Sequence, residues 1–101
     1  MQTINLSIPY QQIQATCQRH HVNRLALFGS VLRSDFSPTS DVDVLVEFEP
    51  DAHISLFDMV DLQSELEGIL GRRVDLGTPT SLSKYIRKAV LSSARVIYER
   101  A

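Results

Sequence analysis

Cysteine is nearly missing from this chain: Cys17 stands alone. No internal disulfide can form, and the expectation is a reducing, cytoplasmic setting. Long apolar runs are missing as well. A membrane helix needs about 20 predominantly apolar residues in a row, and no stretch approaches that. The opening residues, Met1-Gln2-Thr3-Ile4-Asn5, lack the basic and apolar segments of a signal peptide. Asn5-Leu6-Ser7 matches a glycosylation acceptor, which carries no meaning in a cytoplasmic protein. A basic surplus is missing too. The formal net charge is −2 and no basic stripe stands out, so direct nucleic-acid binding is not expected. Repeats, low-complexity tracts and interdomain linkers are equally lacking. What remains is 101 residues, 44% of them apolar, which suffices for one small core. Residues 1–101 therefore read as a single domain, with no room for a separate substrate-binding domain.

The elements are read from apolar periodicity and from breakers. Ser7-Ile8-Pro9 marks a helix start, with proline tolerated in the first turn. Ile8, Ile13 and Cys17 then face the core, and the helix runs to about His20. Residues 22–28 are mostly apolar and end at glycine, as a buried strand does. Residues 30–33 suit a short helical turn, and 34–40, with Ser, Asp, Pro and Thr, a loop. Residues 42–48 alternate between two faces and form the clearest strand, ended by Glu49-Pro50-Asp51. Leu56, Phe57, Val60, Leu66, Ile69 and Leu70 recur at helical spacing, closed by Gly71. Residues 73–76 read as a third strand, 81 to about 93 as a last helix after Pro79, and 95–98 as a final strand.

What the chain does have is a compact set of groups between Leu25 and Phe48. Gly29-Ser30 closes the first apolar run, and Asp41, twelve residues after Gly29, opens the next together with Asp43. Side chains alternate along a strand, so Val42, Val44, Val46 and Phe48 share one face while Asp41 and Asp43 share the other. Two carboxylates that close repel each other, and a divalent cation relieves the repulsion. Oxygen-only ligands favour Mg2+ or Mn2+, and Mg2+ characteristically takes one or two carboxylates plus phosphate oxygens. Two such ions stabilise an attacking oxygen and a leaving pyrophosphate.

Glycine lets the backbone approach a phosphate closely. A helical turn beginning near Ser30 would aim free N–H groups at that phosphate, and the Ser30 hydroxyl adds a donor. Arg33 either contacts a triphosphate oxygen or pairs with Asp35 or another loop acid. Ser40 shapes the loop before Asp41 through a local side-chain-to-backbone hydrogen bond. Asp75, in the apolar Arg73-Val74-Asp75-Leu76, is the candidate third acid. If its strand lies beside Val42–Phe48, Asp75 reaches the same cleft, where it would orient or deprotonate an incoming hydroxyl. Singly these signals are common: Asp-x-Asp begins many strands, and Gly-Ser joins many strands to helices. Their combination points to a nucleotide-transferring site.

Gly29, Ser30, Arg33, Ser40, Asp41, Asp43, the tail Leu45-Val46-Glu47-Phe48 and the later Asp75 resemble the polymerase-beta-like nucleotidyltransferase superfamily. Its motif is Gly-Ser, a short spacer, then Asp-x-Asp or Asp-x-Glu. The chain is most similar to the minimal nucleotidyltransferases of prokaryotes. The resemblance is strongest from Leu25 to Phe48 and covers nearly the whole chain in helix layout. Ser34 stands where many relatives have glycine after the motif arginine. The resemblance implies an α/β (α+β) fold, a small mixed β-sheet flanked by helices. It implies Mg2+-dependent transfer of a nucleoside monophosphate, with ATP as substrate and Mn2+ as a substitute ion. Asp41, Asp43 and Asp75 would then be the catalytic metal ligands, and Gly29, Ser30, Arg33 and Ser40 the nucleotide-binding residues. For a stand-alone minimal member it further implies an antitoxin that moves AMP onto a tyrosine of a partner HEPN-domain toxin, an RNase. A hetero-oligomer with that toxin, or a homo-oligomer, would follow.

Two rival readings use the same residues. The chain is a binding module that neutralises its partner by covering it, or a small-molecule nucleotidyltransferase of the aminoglycoside type. Elsewhere the expectations are structural. His20-His21 closes the first helix and His53 lies on the surface. Cys17, Phe28, Phe57 and Tyr85 serve the core or an interface. Asp58, Asp61, Glu65 and Glu67 form a solvated helix face. Arg72-Arg73 and the set Lys84, Arg87, Lys88 are small basic clusters, the second able to meet a triphosphate or an acidic partner surface.

Overall fold

Strong periodicity in the middle of the chain becomes regular structure with little adjustment. The computed structural model describes residues 4–34 and 36–100. In chain order the elements are helix α1 (Tyr10–Arg19), strand β1 (Val22–Phe28), a 3-10 turn (Gly29–Leu32), β2 (Val42–Phe48), α2 (Leu56–Leu70), β3 (Val74–Gly77), a second 3-10 turn (Pro79–Ser81), α3 (Lys84–Ser93) and β4 (Arg95–Glu99). The four strands form one mixed sheet in the order β3-β2-β1-β4. β1 runs antiparallel to both β2 and β4, while β3 runs parallel to β2. A parallel neighbour needs a crossover, and α2 supplies it.

The core lies between one face of the sheet and helices α1 and α2. Alternation along β2 turns Val42, Val44 and Val46 into it, all completely buried. β1 adds Leu25 and Leu27, α1 adds Ile13 and Cys17, and α2 adds Leu62, Leu66 and Leu70. Burial pushes the Cys17 thiol up to about 12, which makes it a packing group and not a nucleophile. Among the described residues, no helix is long and apolar enough to cross a membrane.

The caps of α2 explain its sharp limits. The Asp58 N–H donates to Ser55 Oγ (3.2 Å), and the Ser55 N–H donates back to Asp58 Oδ2 (2.8 Å). That donor holds the Asp58 carboxyl below its ordinary value. Gly71 ends the helix in the left-handed region (φ 68°).

Two expected helix starts need correction. α1 begins at Tyr10, not near Ser7, and Pro9 occupies its cap position without a side-chain cap bond. α3 begins at Lys84, not at Ser81. The Ser81 hydroxyl donates to the Thr78 carbonyl (2.7 Å) and accepts the Thr78 N–H (3.1 Å), so it closes a tight turn, and Ser83 caps the helix. Leu56, Phe57 and Val60 do not face the core: they are 79, 82 and 57% exposed. Leu62, Leu66 and Leu70 lie four residues apart on one ridge, and that ridge is the buried one. Tyr85, 84% exposed, is not a core residue either.

Candidate active site

β1 ends at Phe28, which lies opposite Asp43 in the β1–β2 register. The next residue, Gly29, has φ +75°. A Cβ built there would overlap Asp43 Oδ2 and lie 3.2 Å from Asp43 Cγ. Glycine is therefore needed twice, for the backbone angle and for the close approach. The 3-10 turn that follows is anchored by buried Val31 and Leu32.

The parallel β2–β3 register sets Asp75 opposite Asp43. With Asp41 just before β2, the three carboxylates come together beside the Gly29 turn. Asp41 and Asp75 are exposed, and Asp43 is half-buried. Burial raises the Asp43 carboxyl above its ordinary value, and the charges of Asp75 and Asp41 raise it further. The Arg33 guanidinium and the Ser30 N–H, which donates to the carboxylate, oppose this in part. The balance leaves the Asp43 carboxyl above its ordinary value. Ser30 thus spends its N–H on Asp43, where the sequence suggested a free donor for phosphate. Its hydroxyl has only a long 3.4 Å contact to the Asp41 carbonyl.

Among the described residues, no three His, Cys, Asp or Glu side chains form a ready-made metal cage. The arrangement is a carboxylate set with room for other ligands. That is the donor set Mg2+ uses when phosphate oxygens and water complete its shell.

Two residues that carry no sequence signal hold this geometry. Asn5 grips the 3-10 turn: its Nδ2 donates to the carbonyls of Val31 (3.1 Å) and Arg33 (2.8 Å), and its N–H donates to Val31 (2.9 Å). Arg72 grips the loop before Asp41. Its Nη1 donates to the carbonyls of Ser37 (2.8 Å) and, more weakly, Ser40 (3.4 Å), and its guanidinium sits 4.5 Å from the centre of the Phe36 ring. Ser40 turns its hydroxyl into the loop, where Oγ accepts the Ser37 N–H (3.0 Å). Arg33 is exposed at the end of the turn, close enough to act on Asp43. Asp35, its suggested partner, lies outside the described residues.

A roomier hollow lies elsewhere. A cleft of ≈ 700 Å³ at the opposite end of β1 and β2 includes His20, His21, His53 and Glu49 in its walls. Arg19, His20, His21 and Glu49 in its walls are paired. Glu65 binds Arg19 (2.6 Å) and His20, and Glu49 binds Arg100 (2.5 Å) and, more loosely, His21 (3.8 Å). Matched pairs are what an ordinary solvated surface shows, so size alone does not make this cleft the site. A smaller cleft of ≈ 220 Å³ lies at the Gly29 turn, with Phe28, Gly29, Leu32 and Arg33 on one wall and Ala89, Val90 and Ser93 of α3 on the other.

Comparison with known proteins agrees with the geometry. Residues 10–97 match the nucleotidyltransferase domain family. The chain is similar to the protein adenylyltransferase MntA of Thermococcus cleftensis, 42% identical over 74 residues, covering 73% of each chain. A solved structure of a candidate minimal nucleotidyltransferase superposes with a TM-score of 0.70 at 38% identity, covering 84% of this chain and 85% of that one. A toxin–antitoxin structure with AMP-PNP shares the fold at 19% identity (TM-score 0.71; 92% and 75% covered). So does a complex of the tri-AMPylated HEPN toxin of Shewanella oneidensis with its MNT antitoxin, also at 19% identity (TM-score 0.62; 90% and 70% covered).

Proposed function

The chain belongs to the nucleotidyltransferase domain family, and from that premise we propose that it moves AMP from ATP onto a hydroxyl of a partner protein. We take that hydroxyl to be a tyrosine of a HEPN-type toxin, which makes this chain an antitoxin. The observation that carries the reading is the gathering of Asp41 and Asp75 about the half-buried Asp43 against the Gly29 turn. The relatives lend support: one is a protein adenylyltransferase, and one fold neighbour sits with a HEPN toxin carrying AMP groups.

In this reading Asp41, Asp43 and Asp75 hold Mg2+ or Mn2+, whose chemistry there is to offset charge on phosphate oxygens. Gly29 lets the triphosphate lie close to the backbone, and the Ser30 hydroxyl and Arg33 donate to its oxygens. Ser40 acts from the loop, fixing the approach of Asp41. Asp75 orients the acceptor hydroxyl and takes its proton. The acceptor oxygen forms a bond to the α-phosphorus as the bond from that phosphorus to the bridging oxygen breaks, and pyrophosphate leaves. Asn5 and Arg72 keep the two loops in register.

The test is transfer of label from α-labelled ATP, with Mg2+, into proteins co-expressed with the chain. One labelled band that disappears with Asp41→Asn/Asp43→Asn is the expected result. Neutralisation of the partner by that double variant, with no label in the wild type, would replace transfer by simple covering.

A further inference from the structure

The sheet and core leave one helix almost bare. α3 contributes no buried side chain. Tyr85, Ile86 and Leu91 are 84, 50 and 46% exposed. Both lysines of the chain, Lys84 and Lys88, lie on it, and both are exposed. Between Asp75 and Glu99 the chain has no acid and four bases. Arg87 is turned inward, donating from Nη2 to the Leu82 carbonyl (3.0 Å), so the lysines carry the outward charge. The Lys84 ammonium lies 5.4 Å from the centre of the Tyr85 ring, within cation–π range. α3 thus carries a basic, apolar outer face with Lys84, Tyr85, Lys88 and Leu91, while Ala89, Val90 and Ser93 on its other side wall the cleft beside Gly29 and Arg33.

α2 carries the other exposed apolar cluster, Leu56, Phe57 and Val60. Its sequence holds four acids and no base. A negatively charged partner segment is repelled there and attracted to α3. Near the site, Asp41, Asp43 and Asp75 would repel such a segment, so it needs cations beside the cleft to hold it. Lys84 and Lys88, exposed on the helix that walls the cleft, supply positive charge on its outward side.

We propose that the outer face of α3 docks the acceptor polypeptide, and that it recognises an acidic segment bearing apolar or aromatic side chains. This rests on the reading of the chain as a protein adenylyltransferase. Lys84 and Lys88 select charge, Tyr85 and Leu91 supply apolar contact, and the segment's hydroxyl is delivered to Asp75, which leaves the Gly29 cleft to the triphosphate.

The experiment uses the full chain and two fluorescent probes, random copolymers of glutamate with tyrosine and of lysine with tyrosine. Binding is read by anisotropy without ATP, and transfer by α-labelled ATP with Mg2+. The acidic copolymer should bind at least about tenfold tighter than the basic one, a difference of about 1.4 kcal/mol, and less tightly as salt rises. Lys84→Glu/Lys88→Glu should remove that preference, and Tyr85→Ser should weaken binding with an unchanged melting temperature, since the ring is exposed. Equal binding of the two copolymers, or acidic binding indifferent to these variants, overturns the proposal. So does a change in the chain's own oligomeric state without a change in copolymer binding. Binding that follows α3 without any transfer supports the docking surface and counts against the adenylylation reading. Transfer equal in wild type and the lysine variant retains that reading and removes the docking surface.

Discussion

The two ends of the β1–β2 pair treat charge in opposite ways. At the Val22–Phe48 end, Glu49 meets Arg100 and the His21 ring, and Glu65 meets Arg19 and the His20 ring. Arg19 and His20 hold the Glu65 carboxyl below its ordinary value. At the Phe28–Asp43 end three like charges face one another, and the Asp43 carboxyl is raised. The first end has the roomier hollow, the second the three carboxylates. A fold has no structural reason to gather repelling carboxylates, whereas matched pairs stabilise a surface modestly wherever they occur. Unresolved charge is therefore a better guide to function here than cavity size.

Substitutions at the two ends should separate this contrast. The largest effect belongs to Gly29→Ala. Its Cβ would overlap Asp43 and its backbone would be strained, so transfer should fall to background and urea unfolding should show a loss of roughly 1–3 kcal/mol. Preserved transfer in that variant would sink the close-approach argument. Next, Asn5→Leu leaves the Val31 and Arg33 carbonyls without their side-chain donor. The loss should be about 1–2 kcal/mol by the same measurement, with a lower kcat, and a variant kinetically identical to wild type would remove Asn5 from the positioning role.

Smaller effects follow. Asp43→Asn relieves repulsion and keeps an oxygen to accept the Ser30 N–H. Because folding raises the carboxyl, its charged form costs stability at neutral pH, and that cost fades as pH falls through the raised value. Without metal the variant should therefore melt higher at neutral pH, by at most about 1 kcal/mol or some 4–8 °C, and the gain should shrink on acidification. A lower melting temperature would contradict the repulsion. The smallest effect is Glu65→Gln. Its folded carboxyl is lowered, so its contribution is present above its ordinary value near 4.5 and lost as pH falls through the lowered one. The variant should lose no more than about 1 kcal/mol at neutral pH, show a flatter acid limb, and transfer label as wild type does. Loss of transfer would show that the far end is not merely structural.

Much of this molecule is legible in its residues. β1, β2 and α2 appear with the expected limits because their signals are local: alternating valines, a capping box, and glycine at a left-handed stop. The starts of α1 and α3 were misplaced because serine has two competing uses, and Ser81 closes a turn. Leu56, Phe57 and Val60 satisfy helical spacing as well as any core triplet does. Only the position of the sheet shows that they lie on the other side. In the site, Gly29, Ser30, Asp41 and Asp43 were readable as a motif, since strand alternation and one tight turn bring them together. Asn5 and Arg72 were not, since they bind backbone carbonyls, which every residue has, across 26 to 35 positions.

By itself the sequence determined the chemistry available: a carboxylate pair on one strand face, a glycine beside it, and a single thiol. It also determined the family, because the match to the nucleotidyltransferase domain over residues 10–97 is carried by sequence. Tertiary structure alone decided that Asp75 joins the pair. A carboxylate's neighbours across a sheet depend on strand order and register, which are set by packing of the whole core. It decided too that α3, and not α2, stands bare beside the cleft. An amphipathic pattern specifies that a helix has an apolar face, but only the packed fold specifies whether that face is covered.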